Sequence, residues 1–241
     1  MQEGSISAHA LVHKFGRNAA VPNGSWAFVN LLGFTAWPLS AATTVRIKAG
    51  GNAADDTAGN GARTVVVQGL NDSYADTQEA ITTAGTSASS ATTASFFRVY
   101  RAWVSTVGVY GAANTAAVTI ENSAGGTDLI QIGAGEGQSQ FGGYSVPAGK
   151  TAYLLSVAIT ADGNKAADFR IYTREDIDDT TAPMKPKRLK FYWDGILGNF
   201  TFTPRSPALV IPAKTDIWVE AQGSGAQTEV SADFEIYLVD D

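Results

Sequence analysis

The chain has 241 residues, 44% of them hydrophobic and 17% charged, with a net charge of −6 and no cysteine. That balance can bury a core, which disordered chains cannot do, and it excludes disulfides, thiolate metal sites and a thiol nucleophile. An acidic chain has no general attraction for nucleic acid or anionic membranes, and no stretch reaches the ~18–20 apolar residues of a membrane-spanning helix.

The opening MQEGSISAHALVHKFG lacks the basic region and apolar run of a secretory signal. Residues 1–35 read as an N-terminal arm. Only His9–His13 and Trp26–Leu32 are dense in apolar residues, and Gly16–Ser25 is loop-like. Such an arm is expected to gain order by packing on the body or on another subunit. His9 and His13 are the only histidines. On a helix they would share a face, but Ala10 stands where the glutamate of a zinc-protease motif belongs, so no metal site is assigned. A serine triad would need one of these two histidines, and no Gly-x-Ser-x-Gly elbow is present.

Residues 36–241 read as a β-sandwich body. Helical periodicity is nearly absent, and short alternating or β-branched runs recur instead. Strands are predicted at 44–49, 64–68, 77–83, 97–104, 118–121, 129–132, 151–160, 167–174, 187–193, 199–203, 208–211, 215–221 and 230–239. Turn residues separate them, as in a sandwich or barrel. NSAGGTD between the strands at 118–121 and 129–132 marks a hairpin. The run AGTSASSATTAS at 84–95 suits a loop and offers little to a core.

Ala167–Tyr172 reads ADFRIY, and Ala232–Tyr237 reads ADFEIY. VPAGKT precedes the first from Val146, and IPAKT precedes the second from Ile211. One gap near Gly149 aligns Lys150 with Lys214. A hairpin used twice is expected, with repeat units at 146–174 and 210–239. In the closing strands side chains alternate between faces. Phe169 and Ile171, and likewise Phe234 and Ile236, are expected in the core, with Asp168, Arg170 and Tyr172 opposite. These features together predict an all-β, jelly-roll-like antiparallel β-sandwich with an extended N-terminal arm.

Other motifs carry less. Gly133, Gly135 and Gly137 sit in a run with no helix after it, and Gly149-Lys150-Thr151 lacks the first P-loop glycine, since Tyr144 stands there. Without a helix N-terminus neither holds phosphate, and both read as turns. Glu175, Asp176, Asp178 and Asp179 form a solvated loop, with calcium the alternative. Lys185, Lys187, Arg188 and Lys190 read as solvated lysines and arginine running into a strand, with a local basic patch the alternative. Trp193, beside Asp194, and Trp103 are either core residues or platforms for sugar rings.

VHKFGRN at Val12–Asn18, ARTVVVQGL from Ala62, RVYR from Arg98 and VPAGKT from Val146 together resemble small structural proteins of tailed marine bacteriophages. The likeness covers roughly residues 12 to 175. It implies a non-enzymatic virion component, either a capsid decoration protein or an adsorption or fibre-type protein. It further implies a homotrimer, with major capsid or other virion proteins as partners. A receptor- or glycan-binding role at a head or tail fibre, with host surface glycan as partner, is the alternative. No catalytic residue, metal or cofactor is carried over. Docking and assembly are expected at Val12, Lys14, Phe15, Arg17 and Trp26.

Overall fold

The structure, a computed structural model, describes residues 8–33, 37–203, 208–225 and 227–241. The architecture is all-β, with antiparallel ladders in every sheet, as expected of a jelly-roll-like sandwich. The chain divides into two compact units, residues 1–36 with 141–241 and residues 37–140. The single body expected over 36–241 is therefore two. The second unit enters the chain between two strands of the first, and each unit has its own pair of sheets.

The first unit opens with β1 (His9–Val21) and β2 (Ala27–Phe28). The second holds β3 (Thr43–Ile47), β4 (Ala62–Leu70), β5 (Asp76–Thr82), β6 (Ser95–Phe96), β7 (Arg98–Val107), β8 (Val118–Asn122) and β9 (Asp128–Ile132). The first resumes with β10 (Gly143–Ser145), β11 (Lys150–Ala161), β12 (Ala167–Arg174), β13 (Arg188–Ile196), β14 (Gly198–Phe202), β15 (Leu209–Ile211), β16 (Asp216–Gly223) and β17 (Thr228–Asp240).

In the first unit one sheet runs β1-β17-β11-β14, with β15 also on β11. The other runs β10-β16-β12-β13, with β2 also on β16. The predicted alternation holds: Phe169, Ile171, Phe234 and Ile236 are buried, while Asp168, Arg170 and Tyr172 are half-buried on the other face. The repeat is present, and its two copies interlock. β11 and β12 lie in opposite sheets, as do β16 and β17, so each copy arches across the core. β11 pairs with β17, and β12 with β16. Phe169 faces Ala221 across one ladder, and Phe234 faces Val157, the counterpart of Ala221, across the other. The proline turns also pair: Val146 and Thr215 are joined by a backbone bond of 2.9 Å, as are Lys214 and Val146.

The expected arm is corrected by β1. His9 to Asn18 pair residue by residue with Val239 to Val230 of β17, so this segment is an edge strand of the sandwich. Residues 1–7 and 34–35 of the expected arm lie outside the described residues. The sequence does not mark this strand, because its inward positions are Lys14, Gly16 and Asn18, all buried and none a typical core residue. Lys14 lies over the Phe141 ring at 5.7 Å, and the Asn18 amide donates to the Phe28 carbonyl at 3.1 Å. A Cβ at Gly16 would stand 2.3 Å from the Gly142 nitrogen and the Val29 carbonyl. Only glycine permits that approach. There the Phe141 amide donates to Phe15, and Gly142 donates to Val29, which closes this side of the sandwich.

In the second unit β6-β3-β8-β9 and β5-β4-β7 form the two sheets. Val45, Ile47, Ile120, Ile130 and Ile132 are buried from one, and Val65, Val67 and Ala102 from the other. The 84–95 run is more than a loop. Ser89 and Thr92 lie along β3, their hydroxyls accepting from Ile47 and Val45 at 2.9 Å while their amides donate back to the same residues. Small hydroxylated residues serve there as a surrogate strand.

Candidate functional site

The outer face of the β1-β17-β11-β14 sheet is built in rows, because paired residues share a face across an antiparallel ladder. One row is Leu11, Tyr237, Tyr153 and Val210, read across four strands. The His9 ring meets Tyr237 in a tilted contact with ring centroids 5.4 Å apart. Next to it a bulge between Leu154 and Ser156 turns Leu155 outward. Further along, Phe15 faces Asp233, and Arg17 bonds Glu229 at 2.6 Å. Burial raises the Asp233 carboxyl above its ordinary range, with Glu235 adding and His13 opposing.

A second apolar surface lies at the side of the sandwich where β13 and β14 are the last strands of their sheets. Phe191 and Trp193 of β13 meet Phe200 and Phe202 of β14, with centroids 5.1 to 6.1 Å apart. These rings plug the open end of the core. Around them Leu189 is 52% exposed, Leu197 58% and Tyr192 49%. Apolar side chains in such density at a surface mark contact sites.

The outer face of the other sheet is a cation–aromatic layer. The Arg170 guanidinium lies 3.7 Å from the Trp26 ring centre and 4.9 Å from that of Tyr172. Tyr172 stacks on Trp218 at 5.7 Å, and Lys187 sits over Tyr172 at 4.3 Å. Glu220 collects the charges, accepting from Arg170 at 2.8 Å, Lys187 at 3.1 Å and the Trp218 indole at 2.9 Å. Burial alone would push the Glu220 carboxyl up, but these three donors outweigh it and hold it below the ordinary glutamate range.

The five expected docking residues therefore separate. Phe15 and Arg17 face outward on the sheet with the apolar row. Val12 shares the inward parity of Lys14, and Lys14 is buried. Trp26 is held by Arg170 as a cap on its own subunit. The apolar row was not found from the sequence, because its members come from β1, β11, β15 and β17 and only the ladder registers align them.

The acidic and basic clusters answer each other. Asp176 bonds Lys185 at 2.5 Å, Asp178 bonds Lys214 at 2.7 Å, and Lys187 reaches Glu220. The Lys214 ammonium bonded to Asp178 holds that carboxyl below its ordinary range. No group of three or more carboxylate or histidine side chains converges on a cation position among the described residues. His9 and His13 lie four residues apart on a strand, about 13 Å from end to end. Trp193 belongs to the aromatic plug, and Trp103 is half-exposed on β7.

No family model matches the chain, and no curated protein matches its sequence. Among solved structures, the VP2 subviral particle of infectious bursal disease virus aligns over 99% of this chain and 73% of its own, with 10% identity and a TM-score of 0.24. The Gx strain structure of that virus aligns over 98% and 76%, with 12% identity and a TM-score of 0.23. Such scores lie below those of a shared fold.

Proposed function

We propose that the protein is a non-enzymatic structural component of a virion, a capsid-associated decoration protein that self-associates as a trimer. The virion setting rests on the resemblance of its strand and turn motifs to tailed-phage structural proteins. Self-association rests on one observation: the first unit displays two different apolar surfaces. These are the Leu11–Tyr237–Tyr153–Val210 row on a sheet face and the Leu189–Tyr192–Leu197 rim at the open side. A ring forms when one patch of each copy meets a different patch of the next. Two unlike surfaces on one subunit fit that scheme, and the occupant of each is a second copy of this chain. Capsid docking then falls to the outward side of β1, where Phe15 and Arg17 stand.

Light scattering on the purified chain tests this. The expected native mass is about three times the 25.2 kDa subunit. Val210→Lys and Leu189→Lys each spoil one surface and are expected to give smaller species. Their mixture restores one intact contact and is expected to give a dimer. Phe15→Ala with Arg17→Ala is expected to leave the trimer whole and weaken co-sedimentation with capsids that lack the protein. A monomer at every concentration, with no capsid binding, refutes the proposal.

A further inference from the structure

In the second unit the glycine-rich run at 133–139 is held against the free side of β7. Val104 donates to the Gly137 carbonyl and Ser139 to the Ala102 carbonyl, each at 2.8 Å, so the run lies beside β7 like an added strand. Asn114, 1% exposed, fixes its conformation. The Asn114 amide donates to the Ala116 and Gly133 carbonyls at 2.7 Å, and its oxygen accepts from the Gly137 amide at 3.0 Å. The Asn114 carbonyl also accepts from Gly135 at 2.8 Å. A loop pinned at three points, Gly133, Gly135 and Gly137, by one residue is preorganised, and its ordering entropy is not charged to a ligand.

Where this loop joins the strand lies an open cleft of about 460 Å³, lined by Arg101, Trp103, Val104, Glu136, Gly137 and Gln138. Trp103 is half-exposed in it. The Arg101 guanidinium lies 6.0 Å from the indole centre. Arg101 has no ion-pair partner among the described residues. We infer that this cleft binds a saccharide chain, with a pyranose ring stacked on Trp103 and its hydroxyls held by Arg101, Glu136 and Gln138. The chemistry suits that class. The indole offers a flat apolar face, and the guanidinium, carboxylate and amide offer both donors and acceptors at its edge. Single-stranded nucleic acid also stacks on tryptophan. Here, though, Glu136 in the lining and the net charge of −6 oppose a phosphate backbone.

The site is independent of capsid association, which is read on variants of the first unit. The test is titration of the full chain with maltohexaose, cellohexaose, chitohexaose and oligogalacturonate, followed by calorimetry. A single-stranded oligonucleotide is the counter-probe. Saturable binding to at least one oligosaccharide is expected, weakened at least about tenfold by Trp103→Ala and unchanged by Trp193→Phe. Arg101→Ala and Gln138→Ala, at surface positions that leave the fold intact, are expected to weaken it by smaller factors. If Arg101→Ala costs affinity for oligogalacturonate alone, the natural ligand is an acidic glycan. An equal loss across the panel marks a neutral one. No saturation by any sugar at millimolar concentration, binding that survives both Trp103→Ala and Arg101→Ala, or tighter binding of the oligonucleotide overturns the inference.

Discussion

The two units reach the same kind of fold by different means. The first is held by bulk: interlocked copies of one sequence unit set Phe169, Ile171, Phe234 and Ile236 between two sheets. The second is held to a larger degree by buried polar side chains that tie loops to strands. Asp55 accepts from the amides of Ala62 at 2.9 Å, Thr115 at 2.8 Å and Ala116 at 3.0 Å. Arg98, 2% exposed, donates to the Leu39 and Phe97 carbonyls at 3.1 Å and lies 4.1 Å from the Phe97 ring centre. Asn114 does the same for the 133–137 loop. Where a sequence is rich in Ala, Gly, Ser and Thr, apolar area is scarce. A satisfied polar pin then gives a loop one conformation, and its removal strands several backbone groups at once.

The comparison is broken hardest at the repeat. Phe169→Ala and Phe234→Ala should each cost about 3–5 kcal/mol, as large core deletions do. Because the two sites are equivalent, their denaturant midpoints should fall by similar amounts. A cost confined to one of them would show that the interlocking is a likeness of sequence without a likeness of energy. In the second unit Asp55→Ala should cost about 3 kcal/mol through its orphaned amides. Native-state hydrogen exchange should show it: Ala62, Thr115 and Ala116 lose protection while the amides of β12 and β17 keep theirs. Equal loss in both units would make them one cooperative block. Asn114→Ala should cost about 2 kcal/mol and release the amide of Gly137 first, while Gly135 keeps its bond to the backbone carbonyl of residue 114. Asn114→Asp keeps the acceptor for Gly137 but sets a buried carboxylate oxygen against the Ala116 and Gly133 carbonyls, so it should cost more than the alanine variant.

The difference between the units also explains what the sequence disclosed. Alternation with large apolar residues is a strong signal, so β11, β12, β16 and β17 were legible, and so was the face each buries. β1 was not, since Lys14, Gly16 and Asn18 occupy its inward positions for reasons of close approach and hydrogen bonding. The division into two units was hidden as well. A chain break between sandwiches leaves no composition mark when both are made of similar short strands. Asp55 and Asn114 look like loop residues in sequence. Their importance lies in amides from distant segments, such as Ala62 and Thr115 for Asp55, and local patterns do not encode those. Trp103 was legible as a choice between core and sugar platform, and the cleft beside it depends on a loop 30 residues away whose path only the fold defines.

The smallest effect compares the outer faces of the first unit's two sheets, each with one perturbed carboxylate. Glu220 is held below the ordinary glutamate range: burial opposes the charge, and the Trp218, Arg170 and Lys187 donors overcome it. It therefore contributes stability that is complete above its unfolded value and is lost as pH falls through the folded one. Asp233 is shifted the other way, chiefly by burial. Its contribution is complete below the ordinary aspartate range and is lost as pH rises through the folded value. Urea midpoints from pH 3 to 7 should separate the two. Glu220→Gln should flatten the acid limb, because the charge that Arg170 and Lys187 prefer is gone at every pH. Asp233→Asn should raise the midpoint at neutral pH and leave the acid limb in place. If Asp233→Asn lowers the neutral midpoint, the contact with His13 outweighs burial there, and the face with the apolar row is held by charge as the opposite face is.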